Sequence, residues 1–139
     1  MTKKPLDKTL VALRVEKFNA LDNKGEYHTL DAYQAFTRSM RTTNRPDSFE
    51  GACYVFLKLA GEAGEVADEL GKVIREEDWA MDSKGKMTVS AERKTKILDE
   101  MGDALYYLSE ALTFFGLSFD HLAERNIRKL VARHEIPVV

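Results

Sequence analysis

A chain of 139 residues has the length of one domain, and its 44% hydrophobic and 32% charged residues are the proportions of a globular protein. A net charge of −2 speaks against a nucleic-acid partner, and the lone Cys53 excludes an intrachain disulfide and a four-cysteine zinc site. No apolar run approaches the roughly 18 residues that a membrane crossing needs, so no membrane partner is expected.

The first segment, MTKKPLDKTLVALRVEKF, is basic, but Arg14, Glu16 and Lys17 interrupt its apolar residues. That is not the pattern of a signal peptide, and a cytoplasmic location is the default expectation. We read residues 1–28 as an N-terminal arm or short helix, with only weak strand alternation in TLVALRV, at the start of a single domain spanning 1–139.

TLDAYQAFTRSM then reads as a helix with Leu30, Tyr33, Ala35 and Phe36 apolar and Thr29 as its N-cap. TTNRPDSFE breaks it, and Asp47 with Glu50 three residues on resembles a capping box. A long helix follows to about Glu77, and MDSKGKMT is expected to be a loop. Ser90 or Thr88 can cap a third long run reaching Phe115, where Gly116 supplies the C′ position. Ser118 caps the last helix, FDHLAERNIRKLVARH, which stops before Pro137. The sum is an all-α bundle of four to five helices. Tyr106, Tyr107, Phe114 and Phe115 surround much of the penultimate helix, so burial on more than one side, and hence a homo-oligomer, is expected.

Two helices share an interruption. In FLKLAGEAGEVADELGKVI the apolar stripe of Val55, Leu59, Val66, Leu70 and Val73 has Glu62 in its middle, Glu69 close by and Glu65 at its edge. An unpaired carboxylate costs several kcal/mol to strip of water, more than the roughly 1.5–3 kcal/mol that burying one leucine supplies. The next long helix repeats the pattern: Ile97, Met101, Ala104, Leu108, Ala111 and Phe115 form the stripe, with Glu100 and Asp103 beside it. Lys58, Glu62, Glu65 and Lys96, Glu100, Asp103 have the same spacing, Lys-x-x-x-Glu-x-x-acid. Lysine and glutamate four apart ordinarily form an exposed ion pair, but in the order Lys-then-Glu that pair is the weaker one. Two such triplets, each cutting into an apolar stripe, point instead to four carboxylates meeting around a divalent cation. Oxygen ligands without His or Cys favour Mg²⁺, with Mn²⁺ able to substitute. A di-iron carboxylate site needs Glu-x-x-His, and none of His28, His121 and His134 has a glutamate three residues before it. His121, in the first turn of the last helix, reads as structural.

LAGEAGEVADELGK, KILDEMGDALYYLSEALTFFG and NIRKLVAR, in that order across Leu57 to Arg133, resemble the MazG-like family of all-α nucleoside triphosphate pyrophosphohydrolases. The YQ of Tyr33 and Gln34 is similar to the first-helix start of its short, phage-type members. Gly61 and Asp99 depart from the family pattern, each standing where it has a glutamate, and Gly61 leaves one fewer carboxylate for a second or third metal ion.

The resemblance implies that Glu62, Glu65, Glu100 and Asp103 hold Mg²⁺ and that Lys58, Lys96, Asn126 and Lys129 contact the triphosphate or ribose. Arg133 shares a helical face with Asn126 and Lys129, which makes it a candidate phosphate contact, with a solvated basic stripe as the alternative. Glu62 or Glu65 is the base that takes the proton of the attacking water. Gln34 is the candidate for base recognition. The implied reaction splits a nucleoside triphosphate, a deoxynucleotide above all, into the monophosphate and pyrophosphate. The implied assembly is a homodimer or dimer of dimers. Related activities on the same fold, such as a dUTPase or a phosphoribosyl-ATP pyrophosphohydrolase, and a non-catalytic helical interaction module stay open at this point.

Overall fold

The computed structural model describes residue 16, residues 29–40 and residues 48–134. The arm at 1–28 apart from residue 16, the break before Ser48 with Asp47, His28 and the C-terminal Pro137 lie outside the described residues. The architecture is all-α: helices α1 (Leu30–Met40), α2 (Phe49–Arg75), α3 (Ala91–Phe114) and α4 (Phe119–His134), with one small hairpin of β1 (Trp79–Met81) and β2 (Met87–Val89). No described helix is long and apolar enough to cross a membrane. Two compact units make up the chain, one from residues 47–111 and one from residues 1–46 with 112–139.

In the 47–111 unit, α2 starts at Ser48 rather than Asp47. Ser48 has extended backbone (φ −132°, ψ 165°), and its hydroxyl accepts from Gly51 N at 3.1 Å. The cap falls one residue later than the capping-box spacing suggests, because the serine oxygen itself reaches the third amide of the helix. The same hydroxyl, with the backbone amide of Glu50, holds the Glu50 carboxyl below its ordinary value, the amide contributing more.

The helix ends at Arg75, short of Glu77. Glu77 takes a left-handed φ of 52°, Asp78 N donates back to Val73 O at 3.1 Å and Glu77 N to Ile74 O at 3.4 Å. This is a Schellman closure with a glutamate in the place usually taken by glycine.

MDSKGKMT is not a plain loop. Trp79, Ala80 and Met81 pair antiparallel with Val89, Thr88 and Met87. Asp82 makes the turn: its Oδ1 accepts from Lys84 N at 2.8 Å and Lys86 N at 2.9 Å, and Gly85 takes the left-handed φ of 73°. Three-residue strands are too short for a period of two to show in the sequence, whereas an Asp–Gly turn is enough to bring them together. Ser90 then caps α3, its Oγ accepting from Arg93 N at 3.2 Å.

The buried side of α2 is Val55, Glu62, Glu69 and Val73, with Leu59 and Val66 half-buried. Leu70, expected in that stripe, is exposed, as are Met101 and Phe115 of the α3 stripe. Ala111, Ser109 and Glu110 of α3 are buried. The inward face of α2 is thus turned toward its glutamates, about 100° from Leu70.

In the other unit, Thr29 caps α1, accepting from Ala32 N at 3.1 Å. Gly116 (φ 64°) closes α3: Leu117 N donates to Leu112 O at 2.9 Å and Gly116 N to Thr113 O at 3.1 Å. Ser118 and His121 cap α4 reciprocally, Ser118 N donating to His121 Nδ1 at 3.1 Å and His121 N to Ser118 Oγ at 3.3 Å. The imidazole does here what a glutamate does in a capping box, which is the structural role expected of His121.

Candidate metal centre

The unit of residues 47–111 brings one acid of the first triplet to both acids of the second. Periodicity sets Glu62 within an apolar stripe of α2, and the structure gives it 5% exposure. From α3, half-buried Glu100 and exposed Asp103 face it, and one oxygen of each of the three carboxylates lies within 4.8 Å of the others. Spacing of three on a helix sets Glu100 and Asp103 side by side, so one turn of α3 supplies two of the three oxygens. Glu65 is exposed and stands outside this trio.

Crowding of like charge is legible in Glu100. Burial, and then the charges of Glu65, Asp103, Glu62 and Glu69, push its carboxyl above the ordinary 4.5. Protein cations are unevenly shared among these acids. Lys58 Nζ lies 2.5 Å from Glu62 Oε1 and 5.4 Å from the ring centroid of Tyr107, so α2 and α3 share one ammonium. Its bond to Glu62 raises the Lys58 pKa. Tyr107 in turn meets Tyr106 edge-on, with centroids 5.1 Å apart. Lys96, the counterpart of Lys58 in the second triplet, pairs instead with Glu92 at 2.7 Å.

Glu69 belongs to a different arrangement. Arg93 Nη1 meets its Oε2 at 2.7 Å, and Lys72 takes its Oε1. Arg93 also pairs with Glu76, and its Nε is 3.6 Å from Asp78 Oδ2. Asp78 accepts from Ser90 Oγ at 2.7 Å, which ties the base of the hairpin to the start of α3. Lys72 with Arg93 holds Glu69 below its ordinary value, Lys72 contributing more. Sequence reading missed Arg93. The signal was there: a cation in the first turn of a helix opposes the helix dipole and needs a partner of its own.

The three carboxylates of the trio suit a hard divalent cation. All their donors are oxygens, and Mg²⁺ binds such ligands at about 2.0–2.1 Å with waters completing its shell. Glu62 is buried, Glu100 half-buried and Asp103 exposed, so the trio reaches solvent through Asp103.

The remaining candidates lie in the unit of residues 1–46 with 112–139. Asn126 and Lys129 line a cavity of about 420 Å³ together with Leu30, Phe119, Leu122 and Arg125. Arg133, two turns along α4 from Asn126, is exposed. Gln34 is buried, and its amide nitrogen donates to Leu117 O at 2.8 Å and Thr113 Oγ1 at 3.3 Å. It anchors α1 to the turn after α3, a part that its place in the sequence did not suggest.

Residues 54–136 match the family described as the MazG nucleotide pyrophosphohydrolase domain. The Gene 37 protein of Mycobacterium phage L5 is 29% identical over 93 residues, which cover 67% of this chain and 75% of that protein. No solved structure matches the chain. The match begins in the helix that carries Glu62, runs through Glu100 and Asp103, and ends beyond the face of Asn126 and Lys129, covering more than half of the sequence. This chain belongs to the MazG nucleotide pyrophosphohydrolase domain family.

Proposed function

We propose that this protein hydrolyses a nucleoside triphosphate, a deoxynucleotide above all, to the monophosphate and pyrophosphate in a Mg²⁺-dependent reaction. The observation that carries the proposal is the approach of Glu62, Glu100 and Asp103 to within 4.8 Å of one another across two helices. Family membership supports a nucleotide pyrophosphohydrolase, and the family in general depends on divalent metal.

Glu62, Glu65, Glu100 and Asp103 would hold the cation, Mg²⁺ or in its place Mn²⁺. When bound, it would balance triphosphate charge and polarise the α-phosphate. The protein's own part is proton handling and positioning. Glu62 or Glu65 accepts the proton of the water that attacks, Glu65 being the exposed carboxylate and the freer to move. Lys58 sits against Glu62 and, with a cation held by the carboxylates, would be free to turn part of its charge to the triphosphate. Lys96, Asn126, Lys129 and Arg133 supply further phosphate and ribose contacts. The active species is a homodimer or dimer of dimers.

The test is pyrophosphate release, read as phosphate with added inorganic pyrophosphatase, over a panel of ribo- and deoxynucleoside triphosphates with Mg²⁺. Turnover of at least one triphosphate, abolished by EDTA, is the expected result. Absence of turnover across the whole panel, with the protein folded, would overturn the proposal.

A further inference from the structure

Contacts between α2 and α3 keep one register. Glu69 meets Arg93, Glu62 meets Glu100 and Asp103, and Lys58 lies over the ring of Tyr107. As the residue number falls along α2 it rises along α3, so the two helices are antiparallel. Glu62 and Glu69 are seven residues apart, and so are Arg93 and Glu100. Seven residues make close to two turns, which returns a side chain to the same face about 10 Å along the axis. The Arg93–Glu69 pair therefore stands on the same two facing seams as the trio, two turns nearer the hairpin.

The apolar residues between these two levels leave the register open. Half-buried Val66 lies between Glu62 and Glu69 on α2, and half-buried Ile97 lies between Arg93 and Glu100 on α3. Apolar contact is non-directional, so burial alone opposes a slide of one helix along the other only weakly. Slid by one turn, about 5.4 Å, Glu62 would stand opposite Ile97 or Ala104 in place of Glu100.

A guanidinium, in contrast, has direction. Arg93 Nη1 meets Glu69 Oε2 at 2.7 Å, its Nη2 pairs with Glu76, and its Nε lies 3.6 Å from Asp78 Oδ2. The fork thus grips α2 and the base of the hairpin at once. Both Arg93 and Glu69 are buried, so a slide would strand two charges away from water at a cost of several kcal/mol. Against an apolar pair of similar volume such an ion pair is close to neutral in stability. What it adds is the choice of register, as one buried polar residue does in a coiled coil.

The trio is sensitive to that choice. Mg²⁺ needs its oxygens at about 2.0–2.1 Å in near-octahedral order. Two of the three carboxylates come from α3 and one from α2, so a small slide of α3 carries two oxygens away from the third together. We infer that Arg93 is a positioning residue for the metal centre: its bond to Glu69 sets the register that brings Glu100 and Asp103 to Glu62. The inference rests on the reading of the trio as a divalent-cation site. Lys72, which also pairs with Glu69, is on α2 itself and has no part in the register.

Mn²⁺ binding to the full-length protein, read by calorimetry or by the paramagnetic resonance of free Mn²⁺, separates register from stability. The decisive variant is Arg93→Met with Glu69→Leu. It removes one charge of each sign, so the net charge near the trio is unchanged, and its apolar pair still holds the helices together. Its Mn²⁺ dissociation constant should rise about tenfold or more, the scale on which side chains that support metal ligands act. Its thermal midpoint in EDTA should stay close to that of the wild type. Arg93→Lys, which keeps a cation for Glu69 but not the fork, should fall between the two in affinity. Lys72→Ala should bind Mn²⁺ no more weakly than the wild type.

A double variant that binds Mn²⁺ as the wild type does would overturn the inference and leave the metal reading standing. Lys72→Ala losing as much affinity as the double variant would also overturn it, as would a loss that comes only with a matching fall in thermal midpoint. A wild type that binds no Mn²⁺ would remove the metal reading and the inference together. Should the double variant fail to fold, Arg93→Lys decides, and an affinity equal to the wild type's would overturn the inference.

Discussion

Arg93 Nη1 lies 2.7 Å from Glu69 Oε2, both side chains buried, and this pair ties the first turn of α3 to the last third of α2. It splits the acids of the unit into two sets. Glu69 is neutralised by protein cations, whereas among the described residues Glu62, Glu100 and Asp103 share the one ammonium of Lys58. The set that the protein leaves under-compensated is the one that suits a divalent cation.

The Arg93–Glu69 pair should behave as a buried ion pair does. Arg93→Met leaves the buried Oε2 of Glu69 without its cation and removes the contacts to Glu76 and Asp78 as well, so it should lower the thermal midpoint more than Lys72→Ala, which removes one half-exposed partner. The double variant Arg93→Met with Glu69→Leu should regain most of that loss, since apolar replacement of a whole buried pair is close to neutral. Thermal melts of the four proteins check this, and equal losses for the single and double variants would contradict it.

Stability should fall in acid by way of the same pair. The Glu69 carboxyl is held below 4.5 in the folded protein, first by Lys72 and then by Arg93. A depressed folded value stabilises fully above the unfolded value and loses its effect as pH falls through the folded one. Denaturant midpoints should therefore hold steady above about pH 5 and drop below pH 4.5, less steeply in Glu69→Gln than in wild type. Parallel curves for the two proteins would remove Glu69 from the account.

Metal should stabilise the fold through the trio. Mg²⁺ at a hundred times its dissociation constant adds about 2.7 kcal/mol, visible as a rise in the thermal midpoint. Glu100→Gln removes one of three crowded charges, so in EDTA it should melt no lower than wild type, lose most of the Mg²⁺-induced rise, and cut turnover by roughly a hundredfold or more, the scale of losing one strong electrostatic stabiliser. A full Mg²⁺ response in Glu100→Gln would count against the assignment.

The two helix ends make opposite predictions. Glu77 holds φ 52° where glycine is usual, and Gly116 holds φ 64° with open space around its missing Cβ. A left-handed residue with a side chain costs on the order of 1 kcal/mol. Glu77→Gly should stabilise, and Gly116→Ala should destabilise, each by about that amount in chemical denaturation.

Lys129→Ala should weaken binding of a non-hydrolysable triphosphate roughly tenfold, the scale of one charge-assisted contact, while leaving Mg²⁺ binding unchanged. Calorimetry with each ligand separately reads both. An unaltered nucleotide affinity would take Lys129 out of the site.

Sequence alone determined the four described helices, the caps at Thr29 and Ser118, the stop at Gly116 and the two Lys-x-x-x-Glu-x-x-acid faces, and it narrowed the cap of α3 to Ser90 or Thr88. These are local facts: side chains one to four residues apart on a helix have fixed relations whatever surrounds them. Only the tertiary structure decided which face of α2 turns inward, that Arg93 answers Glu69, that Gln34 is an anchor, and that Glu62, Glu100 and Asp103 converge while Glu65 stays at the edge. Two apolar seams one residue apart look alike in a periodic pattern. Periodicity fixes an angle about one helix axis, but what stands across from that angle is set by packing between segments distant in the chain.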